Sequence, residues 1–304
     1  MDLFWNMATI QCELFIYLAI GYLCRKTKLI PSSAQQPFTN FLLYVPLPCM
    51  VVMSFNLTIS PEQTQTAYLS LAVGLALCLG SVLVGHVLYR RSCSPQQRPV
   101  MQYGPLISNN AFIGLPIVAR LYGTEGMFLA SMMLIPYRIF VWTAGVSYYA
   151  KADWRTTMKK LLTNPGIIAV EVGLLRLVLN IPLPNALSQA MTTLGDSTTA
   201  LSMIVIGALL GDIDLHHMVS KNVLYLIFIR HFGIPLLAMA IMNAFGMDPL
   251  LIAVAVILTG MPVGSTTALL AHQYGADYHF ASKCVFVSTV LALFTVPVLM
   301  LFLG

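Results

Sequence analysis

Ten windows of mostly apolar residues follow one another along the chain, and no other feature constrains the fold as strongly. The windows fall at about residues 3–24, 36–56, 66–89, 98–121, 126–149, 164–181, 185–211, 219–243, 248–272 and 279–303. A hydrocarbon core about 30 Å thick needs roughly 20 apolar residues per helical span. Only 27 of the 304 residues, 16 basic plus 11 acidic, are charged, whereas about a quarter of a soluble chain would be. We therefore predict an all-helical membrane protein of ten spans and exclude an ordinary soluble enzyme.

The basic residues collect on alternate connections between the windows. The connections after the odd-numbered windows carry Arg25, Lys26, Lys28, Arg90, Arg91, Arg98, Lys151, Arg155, Lys159, Lys160, Lys221 and Lys283. The opposite connections carry Arg120 and Arg176. Because loops rich in lysine and arginine stay in the cytoplasm, we predict a multi-pass protein of the plasma membrane (the inner membrane in a bacterium) with both termini on the non-cytoplasmic side. The first basic residue is Arg25, so we expect the first window to be a retained span rather than a cleaved signal peptide.

The two halves of the chain resemble each other at a spacing of about 152 residues. Residues 119–125 (ARLYGTE) match residues 271–277 (AHQYGAD), and Phe128 corresponds to Phe280. We predict a first five-helix repeat over residues 1–150 and a second over residues 151–304. Because five is odd, the second repeat enters the membrane in the opposite orientation, and inverted repeats of this kind are frequent in secondary transporters.

The fourth and ninth windows are interrupted by glycine and proline beside polar side chains. The predicted helix breaks are Gly104, Pro105, Gly114 and Pro116 in the fourth window, with Gly260 and Gly264 around Pro262 in the ninth. Such residues kink membrane helices in many proteins, but here both halves are interrupted at equivalent places. Unwound backbone at membrane depth must be buried in protein or line a watery cavity, and paired interruptions indicate a substrate site near the midplane.

The interrupted windows favour an anionic substrate, because the start of a helix presents free N–H groups and the positive end of the helix dipole. An arginine within a span adds a guanidinium group, which can bind a carboxylate through two parallel hydrogen bonds. The predicted substrate-binding residues are Ser108, Asn109, Asn110, Pro262, Ser265, Thr266, Thr267, Arg138 and Arg230.

The sequence does not identify the coupling ion. Neither interrupted segment contains a carboxylate, so a sodium ion would need carbonyl, amide and hydroxyl oxygens. Proton coupling would need Asp196, which we place near the start of a helix, or Glu13, which we place near the outer end of the first window, or a histidine. We expect no metal centre and no cofactor beyond a sodium or proton coupling ion.

Several motifs together resemble the auxin efflux carrier family over nearly the whole chain. They are Asn109-Asn-Ala-Phe-Ile-Gly-Leu-Pro116, Asn164-Pro165-Gly166, Leu194-Gly195 and the stretch from Met261-Pro262 to Asp277. The short connection between windows five and six is similar to that of compact bacterial members, including malonate-transporter-like proteins, rather than to plant PIN carriers with long cytoplasmic loops.

The resemblance implies a fold like that of sodium/proton antiporters and bile acid symporters, with crossing broken helices four and nine. It further implies a scaffold domain of helices 1, 2, 6 and 7, a transport domain of helices 3–5 and 8–10, elevator-type movement of organic anions, and homodimerisation. By position, Asn109 takes the place of the family's crossover asparagine and Pro262 that of its second crossover proline.

The predicted function is secondary transport of a small organic anion, such as malonate or an auxin-like acid. The alternatives are a membrane enzyme, a non-transporting sensor or interaction module, and a channel or lipid-binding protein. No HExxH, GxSxG or CxxC pattern occurs, which argues against an enzyme. The partners that we expect are the anion, the lipid bilayer and a second copy of the chain, and no nucleic acid.

Overall fold

The computed structural model describes residues 2–56, 61–88, 93–149, 155, 159, 162–163, 165–179, 181–211, 219–264 and 266–303, and within them it is helical without any named strand. Several residues considered above lie outside the described ones: Arg90, Arg91, Lys151, Lys160, Asn164 and Ser265.

The helices divide into two groups along the chain. The first comprises α1 (Asp2–Lys26), α2 (Ser32–Tyr44), α3 (Pro46–Ser54), α4 (Pro61–Leu88), α5 (Arg98–Tyr103) and α6 (Leu115–Phe140). The second comprises α7 (Pro165–Val178), α8 (Asn185–Leu210), α9 (Lys221–Phe228), α10 (Ile234–Ala244), α11 (Pro249–Gly260), α12 (Thr266–Gln273) and α13 (Tyr278–Leu301). Three π-helical turns accompany them, at Asn110–Gly114, Val141–Gly145 and Ile229–Gly233.

Five helical stretches of the described residues are long and apolar enough to cross a membrane. They are Ser32–Ser54, Gln65–Val87, Phe112–Gly145, Lys221–Ala244 and Tyr278–Leu301. The stretch Phe112–Gly145 turns sharply at Gly123, whose φ of 58° and ψ of −149° are not helical. The prediction of a helical membrane protein is thus supported, while the number of ten spans and the inverted repeat stay predictions.

Two of the π-helical turns arise from the same short sequence pattern. Gly114-Leu115-Pro116 closes the turn before α6, and Gly233-Ile234-Pro235 closes the turn before α10. Proline offers no N–H group, and its ring clashes with the carbonyl one turn earlier. The preceding turn widens in response, so that a bond spans five residues. The Leu115 N–H donates to the Asn110 carbonyl and the Ile234 N–H to the Ile229 carbonyl.

This pattern corrects one part of the predicted first interruption. Gly114 and Pro116 were expected to break the helix, but they lie inside the helical stretch that restarts at Asn110. The widened π-helical turn before Pro116 accommodates the proline ring and its missing N–H group. The interruption itself covers residues 104–109.

The glycines beside the interruptions allow close packing rather than an unusual backbone. Positive φ values among the described glycines occur at Gly123, at the kink within α6, and at Gly246 and Gly275, which lie between helices. At the interruptions, a methyl group on Gly260 would approach Leu299 Cδ1 to 2.6 Å, and one on Gly264 would approach Ile107 Cγ2 to 2.7 Å. Side-chain size, and not backbone freedom, is therefore the constraint at Gly260 and Gly264.

Two of the glycines of α4 provide a test of this close packing. A methyl group at Gly74 would overlap the Met133 carbonyl oxygen of α6, whereas Gly80 has no neighbour within 4 Å. We expect Gly74→Ala to destabilise the protein by about 1–3 kcal/mol. Gly80→Ala should be neutral or stabilising by up to about 1 kcal/mol, because alanine is the better helix former. Unfolding midpoints of the two purified variants would check this, and equal midpoints would contradict it.

Candidate functional site at the crossing of two interrupted helices

The two interruptions lie against each other as short extended segments, which we call the crossing (residues 104–109 and 261–264). Ser108 and Val263 form an antiparallel bridge. The Asn109 N–H group donates to the Pro262 carbonyl at 2.8 Å, and the Gly264 N–H group donates to the Ile107 carbonyl at 3.1 Å. The two halves of the chain therefore satisfy part of each other's unwound backbone.

Side chains from neighbouring helices pair other backbone groups of the crossing. The Ser108 N–H group donates to the Tyr137 hydroxyl, which in turn donates to the Ser108 carbonyl at 2.6 Å. The Val263 N–H group donates to the Ser288 hydroxyl oxygen at 3.0 Å. Such pairing is required because an unsatisfied backbone group in apolar surroundings costs several kcal/mol. Tyr137 on α6 and Ser288 on α13 thus hold the crossing in place.

Arg230 places a positive charge at the crossing. Its side chain is 2% exposed and comes from the π-helical turn between α9 and α10. Nε donates to the Met261 carbonyl at 3.1 Å, and Nη1 donates to the Pro105 carbonyl. Met261 directly follows α11 and Pro105 lies two residues after the end of α5, and at these helix ends the helix dipole is negative. We call α5 and α11 the first half-helices of the two interrupted helices, and the helical stretches that begin at Asn110 and Thr266 the second half-helices. One guanidinium thereby compensates the C-terminal ends of both first half-helices.

The π-helical turn that carries Arg230 is itself anchored. The adjacent His231 is fully buried, and its Nδ1 lies 2.6 Å from the Thr295 hydroxyl of α13. Its Nε2 has no hydrogen-bond partner among the described residues. Because π-helical turns are rare and expose side chains in an unusual direction, they often occur at functional sites. Here the turn directs two consecutive ionisable side chains into the protein interior.

A small, partly polar cavity lies beside the crossing. Most of its lining is apolar and comes from Leu106 and from residues of α4, α6 and α11. Its polar lining consists of Ser81, Ser108, Asn110, Tyr137, Arg230 and Thr259. Its volume is about 30 Å³, which is room for about two water molecules. The Asn110 side chain is 3% exposed, and its Oδ1 has no partner among the described residues. A buried polar atom without a partner indicates room for a ligand or a water molecule.

Apart from Arg138 and Ser265, the predicted substrate-binding residues occupy three different places. Ser108, Asn110 and Arg230 line the cavity, while Asn109 and Pro262 bond to each other through their backbones. Thr266 and Thr267 lie towards α5, where the Tyr103 hydroxyl is 3.4 Å from the Thr266 hydroxyl. Thr267 Oγ1 is buried and lacks a partner among the described residues.

Arg138 lies apart from the crossing. Its Nη1 donates to the Gly166 carbonyl of α7 at 2.6 Å. The adjacent Tyr137, by contrast, points to Ser108. Consecutive helical residues point about 100° apart, so α6 contacts the crossing with one residue and α7 with the next. The structure thus separates the two arginines that the sequence placed together as candidates.

The two candidate coupling carboxylates lie elsewhere, and both placements correct the sequence interpretation. Glu13 lies in the middle of α1 rather than near its outer end, and it pairs with Arg120 at 3.4 Å. Asp196 is exposed in the middle of α8, not near the start of a helix. Neither residue lines the cavity. The bounds of α1 and α8 agree with the predicted windows within two residues, so the error lay in where each carboxylate was placed within its window.

The sequence interpretation missed Tyr137 and Ser288, although both pair backbone groups of the crossing. A polar residue in an apolar span is a signal for Ser288. No comparable signal marks Tyr137, because tyrosine is common near membrane surfaces, and only the path of α6 reveals its partner.

Comparison with known proteins agrees with a transport role. The model of a family described as membrane transport protein matches residues 9–155 and 151–300. An uncharacterized transporter of Methanothermobacter thermautotrophicus is 22% identical over 291 residues, which are 94% of each chain.

Removal of the Tyr137 hydroxyl tests its role at the crossing. We expect Tyr137→Phe to destabilise the protein by about 1–3 kcal/mol, because the Ser108 N–H group and carbonyl lose their partner in an apolar environment. Tyr68→Phe on α4 is the matched control, since that ring is 70% exposed, and it should leave the unfolding midpoint unchanged. The same midpoint for both variants would show that Tyr137 does not support the crossing.

Proposed function

Because the chain belongs to the membrane transport protein family, which is the family of the auxin efflux carriers, we propose that it is a secondary transporter of a small organic anion that binds at the crossing. The observation that carries this proposal is the meeting of two interrupted helices around a buried arginine. Broken helices of this kind form the substrate sites of many secondary transporters.

The charges at the crossing favour an anion. Arg230 compensates the negative ends of the first half-helices, and residues 104–114 and 260–267 contain no carboxylate. The positive ends of the second half-helices begin at Asn110 and Thr266. Free N–H groups at a helix start bind carboxylates well. Monocarboxylates and dicarboxylates, including malonate and auxin-like acids, are thus the substrates to test first.

Asn110 is the side chain that we assign to direct contact with the substrate. It starts the second half-helix, lines the cavity and has a buried amide oxygen without a partner among the described residues. Asn109 contributes through its backbone, which fixes the position of its neighbour. The cavity of about 30 Å³ is far smaller than typical ligand sites of about 300–1,000 Å³. Substrate binding therefore requires that the surrounding helices move apart.

We further propose that this movement is an elevator-type displacement between a scaffold (α1–α3, α7 and α8) and a transport body (the remaining helices), in a chain of ten spans and two inverted repeats. Polar contacts between these bodies include the Glu13–Arg120 ion pair, the bond from Arg138 to the Gly166 carbonyl and the Ser54–Ser131 hydroxyl pair. These contacts must change when the bodies slide past each other. A second copy of the chain would associate through the scaffold, with the termini of both copies outside the cytoplasm.

Uptake into proteoliposomes tests the substrate assignment. We expect saturable uptake of at least one radiolabelled carboxylate from a panel that includes malonate and indole-3-acetate. Asn110→Ala should weaken the apparent affinity about 10–100-fold, since a hydrogen bond to a charged group is lost. Asn243→Ala, at an exposed site at the end of α10, is the control and should transport normally. A folded Asn110→Ala protein with unchanged affinity would remove Asn110 from the site.

A crosslink tests the elevator movement. The double variant Glu13→Cys/Arg120→Cys is made in a protein from which the other cysteines have been removed. A short bis-maleimide then crosslinks the two new cysteines and so joins the scaffold to the transport body. We expect uptake by the crosslinked protein to stop. Gln97→Cys/Asp277→Cys is the control, because these side chains are 3.2 Å apart and both belong to the transport body. Crosslinked control protein should retain uptake. Full uptake by the crosslinked Glu13→Cys/Arg120→Cys protein would contradict movement between these two bodies.

A further inference from the structure

The carbonyl oxygens at the crossing form the kind of place where a hard cation binds. Sodium and similar ions prefer several oxygen ligands, and in transporters unwound carbonyls at half-helix C-terminal ends coordinate coupling cations. Pro105 and Met261 supply such carbonyls from the two halves of the chain. In this protein, both carbonyls accept hydrogen bonds from the same side chain, that of Arg230.

We propose that the Arg230 guanidinium is the resident cation of the crossing, occupying the carbonyl-lined position that a sodium ion would otherwise fill, so that the transport cycle does not use sodium. The guanidinium carries the same single charge as a sodium ion. It is also covalently tethered, so the crossing is compensated at all times and needs no ion from solution.

The geometry keeps Arg230 in this position. The Gly233-Ile234-Pro235 pattern produces the π-helical turn, and the turn directs the side chain inward, where it is 2% exposed. The planar fork of arginine donates in two directions at once, and it is charged under all physiological conditions. Nε and Nη1 therefore reach carbonyls of two separate chain segments, and the side chain links them.

A second cation beside this guanidinium is disfavoured by repulsion. Two unit charges about 4 Å apart, in the effective dielectric typical of proteins, weaken binding by roughly a thousand-fold. The absence of a carboxylate in residues 104–114 and 260–267 removes the ligand that most readily offsets such repulsion. An anion, by contrast, is attracted to the same place. Only the statement that transport is independent of sodium rests on the proposed function. Occupancy of the carbonyl-lined position by Arg230 does not depend on which substrate is transported.

Thermal unfolding tests the proposal without a substrate. The purified full chain is unfolded in sodium chloride and, at equal ionic strength, in N-methylglucamine chloride. Wild-type protein should unfold at the same temperature in both salts. Arg230→Ala vacates the carbonyls, so its midpoint should fall in N-methylglucamine and recover saturably with sodium, by about 3 °C at ten times the dissociation constant. Arg138→Ala is the control, because it also removes a partly buried arginine bond to a carbonyl but should show no sodium response.

Two results would overturn the proposal. One is a saturable rise of the wild-type midpoint with sodium, and the other is a folded Arg230→Ala protein that shows no response to sodium. If Arg230→Ala does not fold, Arg230→Gln replaces it, since glutamine lacks the charge but keeps an amide donor. Arg230→Lys restores a tethered charge and should be insensitive to sodium, and a saturable sodium response of that variant would count against the proposal.

Uptake measurements add the functional consequence. Anion uptake by wild-type protein should be the same with and without a sodium gradient, and sodium-driven accumulation would overturn the proposal. If no carboxylate in the panel is transported, the proposed function fails, whereas the unfolding comparison still decides whether Arg230 holds the cation position.

Discussion

Two helices that stop inside an apolar protein leave backbone N–H and C=O groups that water cannot reach, and the need to pair these groups organises the centre of this molecule. Each interruption is the other's first partner, through Asn109 with Pro262 and Gly264 with Ile107. Further backbone groups form hydrogen bonds with Tyr137 on α6, Ser288 on α13 and Arg230 in the π-helical turn between α9 and α10. Because each partner approaches from a different direction, α6, α9–α10 and α13 are all held in place around one point.

Electrostatics at this point follow from the same pairing. The side chain that pairs the carbonyl ends is a cation, and it compensates the negative ends of two helix dipoles. The positive ends, beginning at Asn110 and Thr266, have no fixed anion in their own segments. A site that carries its own cation and presents helix N-termini is suited to a carboxylate. The proposed transport of organic anions and the proposed independence from sodium are thus two consequences of one arginine.

The sequence predicted the helical membrane class and both interrupted segments, because apolar windows and proline are local signals. It was less accurate where a position depends on neighbours. Gly114 and Pro116 appeared to be helix breakers but lie in a restarted helix with a widened turn, and the same Gly-x-Pro pattern at Gly233 produces the turn that carries Arg230. Glu13 and Asp196 were expected near helix ends, but they lie in the middle of α1 and α8, whose bounds match the predicted windows.

By itself, the sequence determined that this chain is apolar and helical, that it is interrupted twice beside polar residues, and that its interrupted segments contain no carboxylate. These properties depend on composition and on residues close together in the chain. Only the tertiary structure decided that the two interruptions cross, that Arg230 rather than Arg138 belongs to the crossing, and that Tyr137 and Ser288 complete it. Those facts depend on contacts between residues 25 to 157 positions apart, for which no local pattern specifies the partner.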